Sequence, residues 1–85
     1  MKYKIGDLVV PSNGMGCDLF SDEFAEVFPK SVRIPYTGIA LMAGEIGTIL
    51  EIKRINTNIT SDNILKILAP TGIGWVYAHW VKVVK

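Results

Sequence analysis

Apolar residues along this chain come in short, often β-branched runs broken by glycine, proline and small polar residues, and that rhythm predicts strands. Leu8, Val9 and Val10 follow a turn at Gly6 and Asp7 and stop at Pro11, which makes a first strand. Glu45 to Ile55, rich in isoleucine, predicts the strongest strand, with Gly47 at a bulge or bend. Beyond a polar tip at residues 56–63, Asn63 to Ala69 returns as its hairpin partner. Pro70, Thr71 and Gly72 then turn the chain into Gly74–Tyr77, a tight turn at Ala78, His79 and Trp80 follows, and Val81–Val84 is the last strand.

Between the first strand and Glu45 the pattern changes. Ser12, Asn13, Gly14 and Gly16 read as a loop, because glycine and the small polar residues favour turns. Phe20, Phe24, Val27 and Phe28 then stand at the spacing of one helical face, Ser21 can cap the first turn, and Pro29 stops it. The expectation is a helix of about two turns, with the phenylalanines covering an open end of the structure or forming a docking ridge. Val32, Ile34 and Tyr36 alternate with polar residues around Pro35, which favours an edge strand. Ile39, Ala40, Leu41 and Met42 follow without a charge, and periodicity does not separate a buried strand from an adhesive surface there.

Five or six short strands with one insertion and no long helix predict a mainly β fold, a small closed or partly closed barrel. The segments GDLVV, GEIGTILEI and GWVYAHWVKVV are ordered as in SH3-like barrels, and the last resembles their glycine, aromatic, aliphatic, turn, aromatic, valine pattern through Gly74, Trp75, Val76, Trp80 and Val81. The resemblance implies an SH3-like barrel of five or six strands. It also implies a single 3₁₀ turn before the last strand and an expanded first loop, about residues 12–43, containing one short helix. A weaker likeness links GDLVV and the middle segment to KOW-type barrels, and the overall style resembles the small SH3-like accessory proteins of tailed bacteriophages. Signalling SH3 domains carry a proline and an asparagine where this chain has Tyr77 and His79, so the polyproline groove is not expected. Trp75 and Trp80 are then expected as core and rim aromatics.

With 85 residues the chain is read as a single domain, residues 1–85, with a small core, and 49% hydrophobic against 20% charged residues is the balance of a folding chain. The net charge of +1 is unevenly placed, about −2 over residues 1–45 and about +3 over residues 46–85, too weak a field to attract a polyanion by itself. One cysteine, Cys17, permits no intrachain disulfide, and Cys17 with His79 cannot furnish a zinc site, so no metal and no cofactor are expected. Neither a phosphate-binding glycine loop nor a spaced nucleophile and base is visible, and the expectation is a protein that is not an enzyme. No membrane span and no secretory signal are read in the sequence, so the expected location is the cytoplasm or a virion.

Two functional expectations follow. The first is a structural or interaction module that docks onto a larger protein assembly or onto itself as a homo-oligomer, a phage capsid-decorating or accessory protein being the concrete form. Its docking residues would be Ile34, Tyr36, Ile39, Leu41 and Met42, supported by Phe20, Phe24 and Phe28. The second, the runner-up, is a single-stranded DNA or RNA binder, with Trp75, Tyr77 and Trp80 stacking on bases and Lys53, Arg54, Lys66 and Lys82 meeting phosphates. Asp18, Asp22, Glu23 and Glu26 argue against a phosphate backbone near the insertion.

Overall fold

Seven strands form one curled antiparallel sheet, a half-barrel, in the computed structural model, which describes residues 3–23, 36–56 and 61–84 without the side chains of Tyr36, Ile55, Asn56, Ser61 and Asp62. The strands are β1 (Leu8–Pro11), β2 (Gly16–Phe20), β3 (Tyr36–Met42), β4 (Gly47–Asn56), β5 (Ser61–Ala69), β6 (Gly72–Tyr77) and β7 (Val81–Val83). They lie in the order β3-β2-β6-β5-β4-β1-β7. The closing strands β4, β5, β6 and β7 fall where the residue pattern predicts them, and the expected tight turn is a 3₁₀ turn at Ala78–Trp80.

The insertion departs from expectation. Residues 16–20, read as loop and helix start, form strand β2, in which Leu19 is fully buried while Asp18 is exposed. Cys17 and Leu19 turn toward the core and Asp18 away from it, the alternation of a strand. Phe20 therefore ends a strand and pairs with Trp75. Asp22 and Glu23 turn helically after it, and the rest of the expected helix, with Phe24 and Phe28, lies outside the described residues, as does Ile34. Far from being a loop appended to a barrel of five or six strands, the β2–β3 hairpin widens the sheet to seven by attaching to β6.

One face of the sheet carries the core. Val9, Leu19, Leu41, Ile49, Leu65, Ile67, Val76 and Val81 are at most 2% exposed, drawn from every strand, and burying each contributes roughly 1.5–3 kcal/mol. The Tyr3 hydroxyl reaches the carbonyls of Ala78 and Val81 at 2.9 and 3.1 Å, tying the first described residue to the 3₁₀ turn. Gly74 lets β2 cross close to β6, because a Cβ there would sit 2.5 Å from Leu19 Cβ and 3.1 Å from the Phe20 carbonyl. Gly47 has a packing role too, its missing side chain leaving room for Ile67, and the irregularity expected at Gly47 lies instead between Ile49 and Glu51.

The β3 edge is blunted by its own neighbours. Its pairing with β2 shifts register between Asp18 and Phe20, opposite Gly38 at φ +82°, a conformation glycine adopts without strain. The Met42 amide donates to Glu45 Oε1 at 2.8 Å, the Met42 carbonyl accepts from the Glu45 amide at 3.0 Å, and Thr71 Oγ1 lies 3.5 Å from the Ala40 carbonyl. Three backbone groups of this edge, on Ala40 and Met42, are thus engaged within the molecule.

Candidate docking surface

The closing turn collects aromatic rings. A 3₁₀ turn advances only three residues per revolution, so Tyr77, His79 and Trp80 emerge at one end of the sheet, and β2 delivers Phe20 beside them through its pairing with β6. Tyr77 and Trp80 meet edge to face with centroids 5.0 Å apart. Tyr77 and His79 lie at 5.5 Å, and Phe20 is 5.9 Å from both Tyr77 and Trp80. His79 is exposed, and Phe20, Tyr77 and Trp80 are half-buried. Rings grouped in this way order at small entropic cost, since each has few rotatable bonds.

Beside it runs a cleft of about 240 Å³ lined by Ser12, Asn13, Gly16, Cys17, Asp18 and Trp80. Its wall is held locally. Asn13 Oδ1 accepts from the amides of Met15 and Gly16 at 2.9 and 3.0 Å, Asn13 Nδ2 donates to the Gly16 carbonyl, and Ser12 Oγ donates to the His79 carbonyl at 3.1 Å. The Ser12 amide donates to the Trp80 carbonyl at 2.9 Å, so the hairpin approach and the 3₁₀ turn are tied together. Burial pushes the Cys17 thiol above its ordinary range, and the neighbouring Asp18 charge pushes it further, so the thiol stays protonated at neutral pH and is a poor nucleophile.

A second polar group lies on the face opposite the core. Trp75 Nε1 donates to Asp22 Oδ1 at 2.9 Å. Lys66 Nζ sits 3.8 Å from Asp22 Oδ1, 3.3 Å from Glu51 Oε2 and 5.9 Å from the Trp75 ring centre. Lys66 is paired across the sheet with both Glu51 and Trp75, and Asp22 comes to them from the residues after β2. These contacts fasten the end of the hairpin to the sheet.

The expected docking residues do not form one patch. Leu41 belongs to the fully buried core and cannot face a partner, Ile39 is half-buried against that core, and Met42 is exposed. Tyr36 opens β3, and Ile34, Phe24 and Phe28 lie outside the described residues. Phe20 joins the aromatic group instead. The expected nucleic-acid set is also dispersed: Trp75 is only 7% exposed, Lys66 is engaged by two carboxylates, Lys53 and Arg54 lie on β4, and Lys82 lies on β7 at the far edge. Only Tyr77 and Trp80 of that set belong to the aromatic group.

His79, Asp18 and the Asn13 turn were not singled out as binding residues from the sequence, although the crowding of Tyr77, His79 and Trp80 into a turn was a legible signal. Among the described residues there is no helix long and apolar enough to cross a membrane and no group of three or more His, Cys, Asp or Glu side chains placed to hold a metal ion. No protein-family model, no curated protein and no solved structure matches this chain.

Proposed function

We propose that the protein is a non-catalytic interaction module that docks onto a larger protein assembly through the aromatic end of its sheet. One observation carries this reading: the rings of Phe20, Tyr77, His79 and Trp80 are gathered at one end, with Trp80 forming a wall of an adjoining cleft. The docking surface therefore moves from the residues 32–42 favoured by the sequence to the junction of the β2–β3 hairpin and the 3₁₀ turn. Enrichment of aromatic side chains is the compositional mark of protein interface cores, whereas a nucleic-acid surface would be expected to combine them with unengaged cations.

An SH3-like barrel is the fold this reading proposes. It is supported by the strand neighbours β7-β1-β4-β5-β6, the 3₁₀ turn ahead of the last strand and the long excursion after the first. A virion-accessory role is the narrower form, checked by whether the protein co-purifies with assembled particles. Self-association through β3 is disfavoured by the blunting of that edge, and light scattering of the purified protein measures it directly.

The test is capture of partners from the native source, identified by mass spectrometry. Trp80→Ala and His79→Ala are expected to lose a partner protein that wild type and Lys82→Ala both retain. If all four capture the same set, or if wild type instead retains single-stranded nucleic acid at low salt and no protein, the docking reading is wrong.

A further inference from the structure

Asp18 is the feature of the aromatic end that the fold itself does not use. It lies on β2 opposite Ala40, exposed, and its carboxylate has no ion pair or hydrogen bond among the described residues. Among the described residues, no lysine or arginine lines the cleft that Asp18 shares with Trp80. The contrast with Asp22 is direct, because Asp22 is engaged by both Trp75 and Lys66. A second cleft of about 240 Å³ shares Gly16, Cys17 and Asp18 with the first and is lined also by Met15, Ala40 and Met42. Met15 is 77% and Met42 52% exposed. Asp18 thus lines both clefts, one with the Trp80 indole and the other with two exposed thioether side chains.

Resting on the docking reading above, we propose that this surface takes an extended segment of a partner protein that places a lysine or arginine at Asp18 and Trp80 and an apolar side chain on Met15 and Met42. Charge complementarity selects the occupant. A cation can pair with the unengaged carboxylate while the indole beside it supplies a second attraction through its negative ring face, a combination a neutral or acidic segment cannot use. Methionine suits the neighbouring position, since its flexible, polarisable chain adapts to varied apolar partners. The Asn13 turn holds the cleft wall in place before binding, which lowers the ordering cost of association.

The experiment pans a library of random linear peptides against the intact protein and titrates the recovered sequences as synthetic peptides, following tryptophan fluorescence and amide NMR shifts. Recovered peptides are expected to carry a lysine or arginine beside an apolar residue, to shift the amides of residues 16–18 and 80, and to bind more weakly as salt rises. Asp18→Asn should weaken them about tenfold, the scale of one charge-assisted contact, and Asp18→Lys should abolish binding. Both variants should keep the wild-type melting temperature, because the side chain is exposed and unpaired. Peptides that bind at Trp80 without a cationic residue, or that bind Asp18→Asn as tightly as wild type, would overturn the cationic-segment inference and leave the docking reading standing. Recovery of no peptide that responds to Trp80→Ala, together with partner capture that also ignores Trp80, would remove both.

Discussion

Strands β5 and β6 turn two different surfaces to their two sides. Toward the core they present Leu65, Ile67, Gly74 and Val76, an unbroken aliphatic surface with no polar atom to satisfy. Away from it they present Ile64, Lys66, Leu68, Ile73, Trp75 and Tyr77, and that side is divided. Ile64 is completely buried and Trp75 nearly so, yet both lie outside the contiguous core. Leu68 and Ile73, next to each other in register, are each 45% exposed, as is Leu8 farther along the same row through Thr48. The core side is closed by apolar packing, whereas polar contacts help to fasten the other where the end of the hairpin reaches it. One pair of strands therefore serves both as the floor of a core and as an attachment site.

The largest losses are expected on the core side. Leu65→Ala is expected to lower the unfolding free energy by about 2–5 kcal/mol in urea denaturation, since it opens a cavity beneath a side chain with no exposed surface. Gly74→Ala should cost about 1–3 kcal/mol by overpacking, because its Cβ would collide with Leu19 Cβ where β2 crosses β6. A cost near zero would mean that the hairpin yields and is not clamped to β6.

On the opposite face, Trp75→Phe removes the indole donor to Asp22 and should cost about 1 kcal/mol, the exposed carboxylate recovering its hydration. Amide exchange should rise chiefly at residues 20–23, and a uniform rise across the sheet would argue that Trp75 acts through packing alone.

Alkaline pH probes the core side again through its polar tie. Burial raises both the Tyr3 phenol and the Cys17 thiol above their ordinary values of 10.0 and 9.0. Each group is protonated in folded and unfolded chains at lower pH, so the stabilisation is fully present below about pH 9 and is lost as the pH climbs through the raised values. Urea midpoints measured upward from pH 8 should decline, and Tyr3→Phe together with Cys17→Ser should flatten the decline. Smallest of all, Leu68→Ser should leave stability within about 0.5 kcal/mol, because half of that side chain already meets water. A much larger loss would show that the aliphatic row is covered in solution.

Residue patterning located the second half of the chain well. Glycine and proline mark its turns, and β-branched runs separate them, so β4 to β7 and the 3₁₀ turn were readable to within a few residues. The first half was less legible for a physical reason visible at Phe20. Its spacing to Phe24 and Phe28 satisfies a helix, whereas Cys17 and Leu19 just before it, alternating with Asp18, satisfy a strand. Pairing with β3 and β6 decides for the strand, and those partners are distant in sequence. The candidate site suffered the same difficulty more severely. The sequence puts Phe20 with one candidate surface and Tyr77 and Trp80 with another, because nothing in the linear order shows that Phe20 lies within 6 Å of both. Leu41, a docking candidate by its apolar run, is a core residue, since such a run carries no mark of which face it turns inward.

From sequence alone, then, this protein is a small, mainly β chain with a disulfide-free core, a tight aromatic turn before its last strand and an unusual excursion after its first. Local chemistry determines those features: glycine and proline set the turns, and alternation sets the strands. Tertiary pairing makes the excursion a hairpin built into the sheet, engages the Asp22 carboxylate while that of Asp18 has no ion pair among the described residues, and brings four aromatic rings to one end. Each of those outcomes depends on pairing between strands far apart in the chain, where register, and not composition, determines which side chains meet.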